Sequence, residues 1–114
     1  MTVRRQWAGR AAVFALVVLG ASLVPLPDGD SVPAGLDKLV HAAGYAAVAF
    51  AAAMAPEEDT DRALAGVVLA VTAFGAGVEV VQPTVGRTAS LTDALANLAG
   101  AAAGAVAARV SRTR

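Results

Sequence analysis

The stretch ALAGVVLAVTAFGAGVEVVQ, residues 63–82, decides how this chain is read. It contains one ionisable residue, Glu79, and matches the ~20 apolar residues that a helix needs to cross a ~30 Å hydrocarbon core. Working outward, three similar stretches flank it: Trp7–Leu26, Leu36–Ala55 and Leu91–Val110. Between them lie Pro27-Asp-Gly-Asp-Ser-Val-Pro33, Pro56-Glu-Glu-Asp-Thr-Asp61 and Pro83-Thr-Val-Gly-Arg87, whose prolines and glycines stop helices. The pattern predicts an all-α fold, a four-helix transmembrane bundle forming a single domain over residues 1–114. Connections this short force sequential helices to lie adjacent and antiparallel.

Composition points the same way. The 114 residues are 57% hydrophobic and 16% charged, against ~25% charged in a typical soluble domain. So short a chain has too much surface for its volume to hide that apolar area from water. Net charge is zero, and five aromatic residues make no base-stacking surface, which argues against a nucleic-acid partner. The absence of cysteine excludes disulfides, thiolate metal sites and thiol catalysis. No nucleophile elbow, phosphate loop, zinc signature or cofactor motif is present, so no cofactor and no resident metal are expected.

Small residues recur along the stretches: Gly44 in the second, Gly75 and Gly77 in the third, and a Gly100-x-x-x-Gly104 pair in the fourth. In lipid, close backbone approach at such residues is a main source of helix association. Alanine contributes less to insertion than leucine or valine, so the second and fourth stretches lean on their neighbours to insert. The basic residues set orientation. Arg4, Arg5, Arg10, Arg62, Arg109, Arg112 and Arg114 fall on one side, Lys38 and Arg87 on the other, which predicts both termini in the cytoplasm. The acidic run Glu57-Glu-Asp-Thr-Asp61 is then a solvated cytoplasmic loop. A basic start followed by an apolar run also fits a signal peptide, but no small-x-small cleavage site precedes Pro25.

Polar residues interrupt the apolar pattern in three places, all on the opposite side. Asp37-Lys38-x-x-His41 opens the second stretch, and Glu79-x-x-Gln82 closes the third. Arg87 follows, and Ser90-x-x-Asp93-x-x-x-Asn97 opens the fourth. Asp37 and His41, Glu79 and Gln82, and Asp93 and Asn97 each share a helical face. If those faces look inward, they line an outward-opening polar pocket. Asn97 lies roughly 10 Å below the start of its helix, where an unpaired amide costs several kcal/mol. Each residue also has a plainer role. Asp37 and Asp93 suit first helical turns, Ser90-Leu-Thr-Asp93 fits a capping box, and Lys38 can snorkel to the interface. A lone histidine is usually packed and hydrogen-bonded. Glu79 resists such an account, because it sits near a helix C-terminus among valines, where a negative charge opposes the dipole. Arg87 or His41 is the expected partner.

Taken together, Asp37-Lys-Leu-Val-His41 with Tyr45, Glu79-Val-Val-Gln82, and Arg87 leading to Asp93-Ala-Leu-Ala-Asn97-Leu-Ala-Gly100 resemble the VanZ-like family. The resemblance spans residues 37–104 and rests on the order of the three motifs between apolar spans. It implies a small multi-spanning membrane protein with a role at the cell envelope; the family's founding member is associated with teicoplanin resistance. Pro83, directly after Gln82, shortens the third loop relative to that pattern. Three functions follow from the residues. A binding protein would hold the headgroup of a membrane lipid or a lipid-linked envelope precursor, with Arg87 and Lys38 meeting phosphate. An enzyme would use His41, Glu79 and Asp93 as acid and base, or hold a divalent metal with Asp37. A structural protein would use the same groups as a buried network that fixes helix register.

Overall fold

The structure, a computed structural model, describes residues 3–23, 34–81 and 91–112, with the backbone alone described at residues 23, 34–38 and 91–93. Four α-helices make up almost all of this: α1 (Val3–Leu23), α2 (Ala34–Met54), α3 (Asp61–Val81) and α4 (Leu91–Arg112). At ~1.5 Å per residue each is about 30 Å long. The expected boundaries at Leu26 and Gln82 lie outside the described residues.

Local chemistry explains the ends. Pro56 follows α2 and cannot continue it. Thr60 caps α3, its Oγ1 accepting the Ala63 backbone N–H at 3.0 Å. Two helices outrun their apolar cores because arginines at their tips find partners. α1 starts at Val3 rather than Trp7, and the Arg4 guanidinium donates to the Met54 carbonyl. α4 continues past Val110, and Arg112 donates from Nη1 to the Ala53 carbonyl at 2.8 Å and from Nη2 to the Glu57 carbonyl at 3.1 Å. The last carbonyls of α2, which have no partner within their own helix, are thereby satisfied.

Sequential helices are adjacent and antiparallel, as expected. Along α1 and α2, Val18 lies by Gly44 and Trp7 by Phe50. Along α3 and α4, Gly75 lies by Asn97 and Asp61 by Arg109. The tightest pair, however, is not sequential. α2 and α4 run parallel through the centre, with α1 laid on α2 and α3 on both. The cause is the Gly100/Gly104 pair. A β-carbon at Gly100 would come within 3.0 Å of the Ala42 carbonyl carbon, and one at Gly104 within 2.8 Å of the Ala46 carbonyl carbon. Two glycines spaced by one turn let the two backbones touch. Gly77 plays no such part, since open space surrounds it.

The interior is built from small residues and the exterior from large ones. Ala49, Ala51, Ala53, Ala101, Ala105 and Ala108 are buried. Leu16, Leu39, Leu69, Val80, Leu95 and Val106, distributed over all four helices, are exposed, Leu69 by 71% and Val80 by 76%. By length and composition two helices can cross a membrane, Asp61–Val81 and the Ala94–Arg112 portion of α4. The apolar part of α2, Leu39–Met54, is shorter. α1 carries Arg4, Arg5 and Arg10 in its first half.

The start of α1, the turn between α2 and α3 and the end of α4 meet at one end of the bundle. There the acidic run is more than a solvated loop. Arg109 Nη1 lies 2.6 Å from Asp61 Oδ1, and its Nε lies 3.5 Å from Asp59 Oδ1. These charges balance the basic cluster locally.

Candidate functional site

The opposite half of the bundle collects the polar side chains. Tyr45, four residues after His41 on α2, occupies the centre and is fully buried. The side chains of α2 tilt toward its N-terminus, away from the end where the chain termini meet. The His41 and Tyr45 rings lie 6.4 Å apart and nearly parallel, at 7°. Phe74 from α3 leans on Tyr45 at 5.9 Å and 53°. Val48, Ala49, Val71 and Ala101 close the apolar floor beneath.

Each remaining helix brings a polar group to this point. From α1 comes Ser22, which is buried. From α4 comes Asn97, 2% exposed. From α3 come Gly75 and, one turn on, the half-buried Glu79 with its Oε1 shielded from solvent. Gly75 is what allows the approach: a β-carbon there would lie 3.0 Å from Asn97 Nδ2 and 3.2 Å from Tyr45 Cε1. Ser22 and Glu79 are the polar side chains that act on the Tyr45 hydroxyl. Even so, Tyr45 Oη reaches hydrogen-bond geometry with no described group, and neither does Asn97 Oδ1 or Thr72 Oγ1. Leaving such atoms buried and unmet costs about 1–3 kcal/mol each.

Of the residues singled out in the sequence, His41, Glu79 and Asn97 fall in the same half of the bundle, linked through Tyr45 and Gly75. The backbone of Asp37, Lys38 and Asp93 is helical, but their side chains are not described. Gln82, Arg87 and Ser90 lie outside the described residues, so the expected pairing of Glu79 with Arg87 does too. Asn97 was expected to need a partner at its depth, and its carbonyl oxygen has none. Among the described residues no three His, Asp or Glu side chains gather as a metal-ion cage.

Sequence reasoning under-weighted Tyr45 and missed Ser22 and Thr72. Hydroxyls inside an apolar helix are ordinarily satisfied by the preceding turn, so they attract no notice. A signal was present: Thr72, Gly75 and Glu79 follow the three-and-four spacing of one helical face, as do His41 and Tyr45.

The arrangement is rich in acceptors, with an amide oxygen and a carboxylate beside hydroxyls that can donate or accept. Comparison with known proteins adds nothing to this geometry: no family model, curated protein or solved structure matches the chain.

Proposed function

We propose that the chain is a multi-pass membrane protein of four spans with both termini in the cytoplasm. Its outer half holds the polar headgroup of a membrane lipid or a lipid-linked envelope precursor. The order of the three polar motifs supports assigning it to the VanZ-like family.

The membrane part is supported by the inverted packing. Exposed leucine and valine on every helix would be costly in water, at roughly 25 cal/mol per Å². In lipid they cost nothing, and small residues at the interfaces supply the packing. Trp7 adds to this. It stands among the arginines at one end, with the Arg10 guanidinium 4.6 Å from its ring centroid, as aromatic anchors do at a membrane surface. The basic side then faces the cytoplasm.

The binding part is carried by one observation: Tyr45 Oη and Asn97 Oδ1 are buried beside each other's helices and meet no hydrogen-bond partner. A guest that supplies those bonds recovers their cost. Lys38 and Arg87, which the sequence assigns to the same side, would meet a phosphate. The test is native mass spectrometry of the detergent-purified protein beside Glu79→Gln. A lipid adduct on the wild type that the variant loses supports binding, and no adduct on either refutes it.

A second reading has its own support. Tyr45 and Asn97 both press on Gly75, so α2, α3 and α4 meet at a polar knot that fixes register. A knot of that kind predicts that Glu79→Gln loses folded protein rather than ligand.

A further inference from the structure

We infer that the inner end of this site selects a primary ammonium, carried on a lipid headgroup, over an anionic or a fully methylated headgroup; the inference rests on the headgroup-binding function proposed above. An amide oxygen only accepts hydrogen bonds. Asn97 Oδ1 is buried and meets no donor, so whatever satisfies it must donate. Tyr45 Oη, also buried and unmet, accepts as readily as it donates.

Glu79 decides the charge of the guest. It follows Gly75 by one turn on the same face, about 6 Å along the helix, and Gly75 touches both Tyr45 and Asn97. Its carboxylate acts on the Tyr45 hydroxyl. A phosphate pushed to this depth would face a carboxylate and an acceptor-only oxygen, which repel it. A neutral sugar hydroxyl would donate but gain nothing from the charge. An ammonium offers three donors and no acceptor, and the site offers Asn97 Oδ1, Tyr45 Oη and the carboxylate. The aromatic surroundings agree, since His41 stacks on Tyr45 and Phe74 leans on it, and ring faces attract cations. A trimethylated ammonium keeps the charge but has nothing to donate.

The experiment is native mass spectrometry of the full chain with dioleoyl phosphatidylethanolamine, phosphatidylglycerol or phosphatidylcholine at equal concentration. Wild type should retain phosphatidylethanolamine about tenfold over each of the others, the discrimination expected of one charge-assisted hydrogen bond. Asn97→Leu and Glu79→Gln should bring that ratio to near one. Equal retention of phosphatidylethanolamine and phosphatidylglycerol by the wild type overturns the ammonium assignment and leaves headgroup binding standing. Preference for phosphatidylcholine overturns it too, because ring faces rather than donors would then be choosing. Retention of no lipid overturns both. Should Asn97→Leu fail to fold, Tyr45→Phe with Glu79→Gln decides the matter: an undiminished ratio in both overturns the assignment.

Discussion

Gly75 on α3 lies directly against Asn97 on α4, with room between them for a hydrogen and not for a methyl group. The contact joins two helices at the depth where the polar side chains meet. It makes the third helix part of the site and not merely its neighbour.

Gly75→Ala should therefore damage the site. The new carbon would fall 3.0 Å from Asn97 Nδ2 and 3.2 Å from the Tyr45 ring, both in buried surroundings. Overpacking of this kind costs about 1–3 kcal/mol, partly offset by alanine's better helix propensity. A lower melting temperature in detergent together with weaker lipid retention is the expected result. An unchanged melting temperature would show that the contact is loose.

Gly104→Ala should be worse than any other glycine substitution apart from Gly100→Ala. The obstacle at each is the α2 backbone, at Ala46 and Ala42, and backbone cannot swing aside as a side chain can. Gly77→Ala is the control. It has open space around it and should raise helix stability by up to about 1 kcal/mol. Thermal unfolding of the three variants in one detergent should separate them in that order.

Asn97→Leu separates the two functional readings. Removing a buried amide whose oxygen has no partner, and filling its volume with hydrocarbon, should leave stability unchanged or raise it by about 1 kcal/mol. Lipid retention should fall in the same sample. Loss of the folded protein would instead favour the register-fixing network.

Arg112→Ala should loosen the opposite end. It strips the Ala53 and Glu57 carbonyls of their donor, and partly buried carbonyls left unmet cost about 1 kcal/mol or more. Arg109→Gln breaks ion pairs to Asp59 and the exposed Asp61 and should be barely measurable, since such pairs contribute little. Melting temperatures at low and high salt would reveal the difference.

Orientation can be checked independently. A reporter active only outside the cytoplasm should be silent when fused after Arg114 and active when inserted between α3 and α4. The reverse pattern would turn the polar half toward the cytoplasm and remove it from the outer leaflet.

The sequence by itself determined the helices. Four apolar runs separated by prolines and acidic turns leave the chain no other use for its backbone hydrogen bonds. It determined as well that His41, Glu79 and Asn97 would stand out, because polar groups in apolar runs must be accounted for energetically. The gathering of both described chain ends at one end follows from short connections between antiparallel helices. Which helices press closest was decided only by tertiary packing. Gly100 and Gly104 announce a close approach but not to whom, and parallel α2 is not the sequential neighbour. Tertiary structure also decided that Tyr45 stands at the centre with its hydroxyl unmet, that Gly75 clears the space beside Asn97, and that arginines at Arg4 and Arg112 cap the end of α2. These are relations between distant residues. Helical periodicity gives the face a residue occupies, while the partner of that face depends on how small side chains let four helices settle against one another.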